Sequence, residues 1–365
     1  MKAVVAMDSF KGSLTSMEAG SAVKKGILRA LPDAEVTVIP LADGGEGTVD
    51  AIAPFVNGIT KNLTVTGPRA FPIKTKYIYS SDSRTAYIEM AESAGLTLIP
   101  PEKRNPYFTS TYGVGEVMKD AIRNGAEKLV ICIGGSATND GGAGMLQALG
   151  ASLTDKNGDE IRFGALGLRD LCAVDLSGLI TKNIQITVAC DVTNPLCGPD
   201  GASHVYGPQK GASYEECCEM DKWLELYAKL CGFDPFEKGT GAAGGMSFAL
   251  KNILGASLES GAGIVMKITG AEDLIRNSDI VVTGEGRMDS QTVNGKAPYM
   301  ILEAGKKYGK PVYGICGVLG DGYEECLKAG FKNIAPLAVP SMVASEAIGS
   351  VEEVAFVMFS SLANA

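Results

Sequence analysis

The chain has 365 residues with a formal net charge of −9, and 45% of its residues are hydrophobic. This length is enough for two domains that each bury a core, and the composition is that of a globular protein. The acidic balance, the lack of a Lys/Arg block and an aromatic content of only 7% argue against nucleic acid or an anionic membrane as a partner. Local features of the backbone would therefore have to bind any small anionic ligand.

The apolar run within Met1–Asp8 is too short for a signal peptide, and no apolar stretch is long enough to cross a bilayer, so a cytoplasmic location is predicted. The nine cysteines show no metal-ligand spacing and are expected to be reduced. The single histidine, His204, is predicted to be a loop residue. Because one imidazole makes Ser-His-Asp or multi-histidine metal chemistry improbable, proton transfer is expected to fall to carboxylates. The sequence does not specify an oligomeric state.

The first segment alternates strands and helices. A strand over Val4–Met7 leads into the loop Asp8–Ser13, and Thr15 and Glu18 form a capping box that opens a helix. A second strand over Val36–Pro40 leads into the loop Asp43–Gly47, with a helix from about Thr48. If the two strands are parallel, both loops lie at the same edge of a sheet.

The middle of the chain is more varied. Its first segments alternate in the way that is typical of antiparallel strands with one solvent-facing side, namely Asn62–Thr66, Ile73–Tyr79 and Thr85–Glu89. Strands are next predicted over Lys128–Ile133 and Ile184–Cys190. Helices are predicted over Val114–Asn124, Tyr214–Leu230 and about Met246–Leu254.

The last third again alternates strictly. Strands are predicted over Ile280–Thr283, Val312–Cys316 and Asn333–Leu337, and helices over Lys296–Tyr308, Tyr323–Ala329 and Val351–Leu362. This order is typical of a doubly wound α/β sheet. We therefore predict one parallel-sheet domain from residues 1–65 and 275–365, interrupted by an inserted α/β domain of residues 66–274.

Asp191 follows the predicted strand Ile184–Cys190 directly, in the sequence Asp191-Val-Thr-Asn-Pro-Leu-Cys-Gly. In open α/β sheets ligands bind at the carboxyl ends of the strands, so a carboxylate at this position could face a substrate. The alternative is that Asp191 and Asn194 only cap a turn before Pro195.

Glycine-rich loops could bind phosphate through their backbone amides, which requires no net positive charge. Five occur here: Asp8–Ser13, Asp43–Gly47, Gly134–Gly142, Gly239–Gly245 and Thr283–Asp289. Each alone is compatible with a simple tight turn. The GxGxxG within Gly239–Gly244 does not follow a predicted strand, so it is not interpreted as a dinucleotide site, and no GxxxxGK[ST] motif is present.

Acidic residues lie in or beside these loops and strand ends, namely Asp8, Asp43, Glu46, Asp140, Asp191, Glu285 and Asp289. Such carboxylates can hold Mg²⁺ between nucleotide phosphates or accept a proton from a substrate hydroxyl. Lys11 and Arg287 could neutralise a transferring phosphoryl group. Alternatively, these charged residues cap helices and pair with one another. Taken together, the combination favours a phosphotransferase.

These blocks resemble the bacterial glycerate kinase family. The matching segments, in the family's order over nearly the whole chain, are Asp8–Gly12, Pro40–Thr48, Gly134–Gly144, Ala189–Pro195, Tyr206–Ala212, Gly241–Gly245, Thr283–Arg287 and Asp289–Thr292. The resemblance implies a Rossmann-like doubly wound domain interrupted by a second α/β domain with a mixed sheet. It also implies ATP and Mg²⁺ as cosubstrates, D-glycerate as acceptor and 2-phosphoglycerate as product.

The predicted site combines the resemblance with the loop positions. Asp191 would orient and deprotonate the substrate hydroxyl, and Lys11 and Arg287 would steady phosphate or substrate charge. Substrate or nucleotide binding is assigned to Asp8, Ser9, Asp43, Gly44, Gly45, Glu46, Gly134, Gly135, Ser136, Asn194, Gly284, Glu285 and Asp289. Asp191 and Glu285 are the predicted Mg²⁺ ligands, but which carboxylate binds the metal and which takes the proton stays open.

Three rival functions remain. The first is a kinase that acts on another small hydroxy acid or sugar acid. The second is a non-catalytic protein that binds glycerate or a nucleotide, which would bind without releasing ADP. A Rossmann oxidoreductase is a more distant third.

Overall fold

The structure, a computed structural model, describes residues 1–10, 12–337 and 343–360. The chain divides into two compact units. The first unit comprises Met1–Asp43 and Gly261–Ala365, and the second comprises Gly44–Ser260. Among the described residues, no helix combines the length and apolar character needed to span a membrane.

The strands, in chain order, are β1 (Lys2–Met7), β2 (Glu35–Pro40), β3 (Ile59–Thr66), β4 (Pro72–Ser80), β5 (Thr85–Glu89), β6 (Lys128–Cys132), β7 (Ser152–Thr154), β8 (Ala173–Asp175), β9 (Gln185–Ala189), β10 (Ser257–Glu259), β11 (Ile280–Gly284), β12 (Arg287–Met288), β13 (Val312–Cys316), β14 (Val318–Leu319) and β15 (Asn333–Pro336). The helices are α1 (Ser16–Ala30), α2 (Thr48–Ile52), α3 (Ala91–Ala94), α4 (Tyr112–Arg123), α5 (Ala143–Ala148), α6 (Ala165–Leu168), α7 (Ala202–Tyr206), α8 (Tyr214–Leu230), α9 (Ala242–Phe248), α10 (Gly261–Thr269), α11 (Ala271–Arg276), α12 (Ala297–Lys307), α13 (Glu324–Ala329) and α14 (Ala344–Ser360).

The first unit is built on a parallel sheet in the order β15-β13-β11-β1-β2. β1 lies inside this sheet, so the chain winds outward from it in both directions, which confirms the predicted doubly wound α/β class. Its sequence KAVVAM is apolar after the first residue and almost fully buried, as expected of a parallel strand covered on both faces. The strand order reverses between β1 and β11, and ligands bind at such points in open α/β sheets.

The predicted capping box opens α1. The Thr15 hydroxyl accepts a hydrogen bond from the Glu18 amide at 3.2 Å, and the Glu18 carboxylate accepts one from the Thr15 amide at 2.9 Å. Both bonds satisfy amides that the first helical turn would otherwise leave without a partner. The helix thus begins where the sequence places it, directly after the loop that follows β1.

The second unit contains a mixed sheet in the order β10-β9-β6-β5-β4-β3. β3, β4 and β5 pair antiparallel, whereas β5, β6, β9 and β10 pair parallel. β3 has the predicted solvent-facing side, but four of the five residues of β5 are buried and the fifth is half-buried. The prediction of one wet face was therefore wrong for Thr85–Glu89, because α2 and α4 pack against this strand.

The unit boundaries differ from the predicted ones at 65/66 and 274/275. β3 pairs with β4 along its whole length, so the segment from Gly44 to Thr66 belongs with the mixed sheet. α10 contacts β2 and α12, so the segment from Gly261 onward belongs with the parallel sheet.

Several elements also depart from prediction. His204 lies in α7 rather than in a loop. By contrast, the helix expected at about Met246–Leu254 is present: Ala243, Gly244 and Gly245 have left-handed φ values, so the helical backbone begins at Met246, and it ends in the π-helical turn Ala249–Ile253. α14 begins at Ala344, before the predicted Val351, while the predicted end at Leu362 lies outside the described residues. None of the nine cysteines, all of which are described, forms a disulfide.

The contact between α1 and α14 gives a direct test of the first unit's packing. A Cβ added at Gly26 would lie 2.3 Å from the carbonyl oxygen of Glu352 and 2.6 Å from the Cβ of Ala355. We expect Gly26→Ala to separate the two helices and to lower the free energy of unfolding by about 1–3 kcal/mol. The matched control is Gly349→Ala in α14, where an added Cβ meets nothing within 4 Å. The control should gain up to about 1 kcal/mol from helix propensity. Equal urea midpoints for the two variants would contradict this packing.

Candidate active site

In the first unit, the candidate residues gather where β1 and β11 end. Met7 and Gly284 are paired across these strands, and the amide of Asp8 donates to the carbonyl oxygen of Gly284 at 2.8 Å. Asp8 and Glu285 therefore leave neighbouring strands at the reversal of strand order. The Asp8 carboxylate also accepts a hydrogen bond from the Ser9 amide at 2.7 Å. Asp43 follows β2 on the other side of β1.

Gly284 is required for steric reasons. A Cβ at this residue would lie 1.7 Å from the carbonyl oxygen of Ile315 and 2.7 Å from the Cε of Met7. No side chain fits there, so this glycine lets β11 end in close contact with its neighbours. Lys11, the predicted cation of the first loop, lies outside the described residues, and its role stays a prediction.

The loop after β11 carries a charged network. Thr292 donates to the Glu285 carboxylate at 2.8 Å. The Lys296 ammonium lies 3.8 Å from the Glu285 carboxylate and 3.6 Å from that of Asp289. Arg287 reaches Asp289 at 3.3 Å with a side chain that is 61% exposed. The predicted residues Glu285, Arg287 and Asp289 are thus brought together, and they also pair as the alternative interpretation expected.

Lys296 is a member of this network that sequence reasoning missed. Its only signal was the position after Gly295, at the start of α12. Burial raises the pKa of Asp289, but the Gln291 amide and the charges of Lys296 and Arg287 outweigh this effect and hold the pKa below its usual value. Asp289 is consequently a carboxylate that stays ionised beside two cations.

In the second unit, the loop that starts at Gly44 lies against the carboxyl ends of β6 and β9. The Gly134 amide donates to the Gly44 carbonyl oxygen at 3.2 Å, and a Cβ at Gly134 would lie 2.6 Å from the Cα of Gly45. Gly44 has a φ of +84°, and a Cβ added at this residue would lie 2.7 Å from the Cβ of Ala189. The two predicted glycine loops are therefore in direct backbone contact.

Glu89, the last residue of β5, anchors the same loop and was not predicted. Its buried carboxylate accepts hydrogen bonds from the amides of Gly47 at 2.7 Å and Val49 at 3.1 Å. Burial raises the pKa of Glu89, and the two amide bonds oppose this effect. Glu46 is exposed and accepts a bond from the Thr97 hydroxyl at 3.3 Å. An acidic residue at the end of a buried strand was the available signal for Glu89.

Asp191 is exposed just beyond the end of β9. The last residue of β9 pairs with the last residue of β6, so Asp191 and Gly134 emerge from adjacent parallel strands at the same edge. The Asn194 side chain donates to the Asp200 carbonyl oxygen at 2.8 Å and accepts from the Tyr206 hydroxyl at 2.8 Å. Asn194 thus orders the loop through residues that lie beyond Pro195, and its substrate-binding role stays a prediction.

Asp140 is fully buried and holds its own loop rather than facing a ligand. Its carboxylate accepts bonds from the Thr111 amide and hydroxyl and from the amides of Gly142 and Gly144. Burial raises the pKa of Asp140, and these hydrogen bonds oppose that effect. The GxGxxG glycines also serve packing, because a Cβ at Gly244 would lie 1.9 Å from the Thr138 carbonyl oxygen.

Within the described residues, no three His, Cys, Asp or Glu side chains are grouped so that they could hold a metal ion. Mg²⁺ commonly uses only one or two carboxylates, with substrate phosphates and water completing its octahedron. The hard oxygen donors at the strand ends suit that mode of binding. Ligation by Asp191 and Glu285 stays a prediction.

Carboxylates and glycine loops at the carboxyl ends of parallel strands are the features of an α/β enzyme that acts on small anionic substrates. The family model described as the glycerate kinase family matches residues 3–363. Glycerate 2-kinase of Escherichia coli (strain K12) is 48% identical over 328 residues, which cover 88% of this chain and 86% of that protein. Glycerate kinase of Bacillus subtilis (strain 168) is 44% identical, and the aligned region covers 93% of this chain and 92% of that protein.

A crystal structure of a candidate glycerate kinase 2 from Salmonella typhimurium LT2 superimposes with a TM-score of 0.87 at 42% identity, covering 99% of this chain and 98% of that one. The chain therefore belongs to the glycerate kinase family, which confirms the resemblance seen in the sequence.

The buried Glu89 predicts a pH-dependent contribution to stability. The pKa of Glu89 is raised in the folded state. The wild-type protein should therefore lose stability relative to Glu89→Gln as the pH rises above 4.5, which is the ordinary pKa of a glutamate. Urea unfolding of both proteins between pH 5 and pH 8 measures this difference. Glu102→Gln, at an exposed glutamate, is the control and should show no such trend. If the difference in free energy of unfolding between wild type and Glu89→Gln did not change with pH, the raised pKa of Glu89 would be refuted.

Proposed function

We propose that the protein transfers the γ-phosphoryl group of ATP to a hydroxyl of D-glycerate, forming 2-phosphoglycerate and ADP. Membership of the glycerate kinase family, with a relative named glycerate 2-kinase at 48% identity, carries this proposal. The site chemistry supports it, because phosphoryl transfer depends mainly on positioning and on stabilising negative charge. Backbone amides at glycine loops supply that stabilisation in a chain whose net charge is −9.

Asp191 is the proposed general base. As the glycerate hydroxyl oxygen attacks the γ-phosphorus, Asp191 takes the hydroxyl proton, and the bond to the β,γ-bridging oxygen of ATP breaks to release ADP. Its exposed position at the end of β9 leaves the carboxylate accessible to a small acid. Arg287, with an exposed guanidinium, and Lys11 are proposed to steady the phosphate charge.

Mg²⁺ is proposed to enter with the nucleotide. Glu285 is the proposed protein ligand when Asp191 acts as the base, and Asp191 is the other carboxylate that could hold the metal; the metal would supply charge neutralisation at the phosphates. The cytoplasmic location stays a prediction, supported by nine cysteines that form no disulfide.

Asp191→Asn tests the base. The substitution keeps the size of the side chain but removes its ability to take a proton, so kcat should fall about 10²–10⁴-fold while the affinity for ATP stays nearly constant. Asp200→Asn, at another exposed aspartate of the same loop, is the matched control and should retain wild-type turnover. An Asp191→Asn enzyme that keeps more than about a third of wild-type kcat would remove this residue from the chemistry.

A coupled ADP-release assay with D-glycerate, followed by ³¹P NMR of the product, tests the reaction itself. The phosphorus of 2-phosphoglycerate couples to one carbon-bound proton and should give a doublet. A triplet as the main initial signal would assign the transfer to the 3-hydroxyl. ADP release only with other hydroxy acids in a substrate panel would support the rival kinase, and glycerate binding without ADP release would support a binding protein.

A further inference from the structure

Lys210 is a buried lysine to which the proposed mechanism gives no role. It ends the short 3-10 turn Pro208–Lys210, and its side chain is among the largest that are fully buried, with 1% exposure. Its ammonium donates to the Ser136 hydroxyl oxygen at 2.9 Å and to the Thr138 carbonyl oxygen at 2.7 Å. Both acceptors are neutral, and Lys210 forms no ion pair with any residue that the structure describes. A buried charge without a counter-ion is costly to the fold.

The hydrogen bond from Lys210 determines how Ser136 can act. An ammonium is only a donor, so the Ser136 oxygen must be the acceptor, and the hydroxyl hydrogen stays available to donate elsewhere. The described residues include no acceptor for this hydrogen. Ser136 is 93% buried, whereas the neighbouring Gly135 is exposed with a φ of +74°.

The backbone around Ser136 adds two more donors. Ser136 forms an antiparallel bridge with Gly95, in which the flanking residues make both hydrogen bonds, from Leu96 to Gly135 and from Ala137 to Ala94. In such a bridge the central amide faces away from the partner strand. Within the described part of the chain, the amides of Gly135 and Ser136 have no acceptor. One hydroxyl and two amides of adjacent residues thus remain as donors, and the hydroxyl is in contact with a buried cation.

Asp140, in the same loop as Ser136, is the charged group that acts on Lys210, but its oxygens already accept hydrogen bonds from other residues. They accept bonds from Thr111, Gly142 and Gly144. Burial lowers the pKa of Lys210 to about 7, and the charge of Asp140 opposes this effect only in part. The ammonium therefore still lacks a full counter-charge.

We propose that Lys210 is a positioning residue that makes Ser136 and the amides of Gly135 and Ser136 a binding site for an anionic group of a substrate. The group is either the carboxylate of glycerate or a phosphoryl oxygen of ATP, and its arrival supplies the counter-charge that Lys210 lacks. This inference rests on the proposed function for the identity of the two substrates. It adds Lys210 to the functional residues and gives Ser136 the role of direct donor.

Lys210→Met and Ser136→Ala test the site in the full-length protein. Calorimetry with ATP, D-glycerate and inorganic phosphate, together with steady-state kinetics, should show at least a tenfold weaker affinity for one substrate in both variants, with kcat changed less. The weakened substrate identifies the source of the anion. Lys222→Met, at an exposed lysine of α8, is the control and should bind all three ligands as wild type does.

The pH dependence separates a charge effect from a packing defect. Because burial lowers the pKa of Lys210 to about 7, the wild-type affinity for that substrate should fall relative to that of Lys210→Met as the pH rises from 6 to 8.5 and the ammonium fraction declines. In a double-substitution cycle, Lys210→Met and Ser136→Ala should not be additive.

Unchanged affinities for all three ligands in a folded Lys210→Met protein would overturn the proposal. If Lys210→Met does not fold, the Ser136→Ala variant alone tests the proposal. Wild-type affinities for all three ligands in Ser136→Ala would then overturn the proposal. Calorimetry reads binding without turnover. If the wild-type protein released no ADP with D-glycerate, the proposed function would be wrong. The binding data would still test the anion site at Gly135 and Ser136 independently.

Discussion

The contact between two glycine backbones at the carboxyl edge of the mixed sheet is the constraint on which the second unit's candidate site depends. Gly134, two residues beyond the end of β6, lies against Gly45 with no room for a Cβ, and Gly44 lies equally close to the end of β9. Peptide groups therefore reach the strand ends directly, without intervening side chains. In a chain with a net charge of −9, this close approach offers a way to present donors to an anion without a basic surface.

Buried charges hold these loops in place. Glu89 binds the amides at the start of α2, Asp140 binds those around the start of α5, and Lys210 binds the loop between Gly134 and Asp140. Burial disfavours the charged form of each of the three groups. Replacing such groups with apolar side chains is often neutral or stabilising in other proteins, so their presence here is better explained by loop geometry than by stability. In the first unit, the exposed guanidinium of Arg287 pairs with the half-buried carboxylate of Asp289, and this pair is also better understood as positioning charge.

Local patterns in the sequence predict much of this architecture. Apolar runs mark the central strands, and the spacing of Thr15 and Glu18 marks the start of α1. The same patterns do not show which elements pack against each strand. The expectation of a wet face therefore fails at β5, and the observed boundary between the units lies before β3 and not at its end. Glu89, Lys210 and Lys296 were missed as site residues for a related reason. Each contacts its loop through tertiary structure. The local signals were the end of a strand for Glu89, the family-matching segment Tyr206–Ala212 for Lys210 and the position after Gly295 for Lys296, and none of them shows which loop the side chain contacts. Lys11 and the end of the last helix lie outside the described residues.

Amide hydrogen exchange on the full-length protein tests most directly the claim that these loops bind the anionic substrates. Exchange would be followed with and without a non-hydrolysable ATP analogue and D-glycerate at saturating concentrations. The account predicts slower exchange at residues 44–47 and 134–136 when both ligands are bound, with little change in the edge strands β3 and β4. Unchanged exchange at both loops, at concentrations that calorimetry shows to saturate the protein, would contradict it.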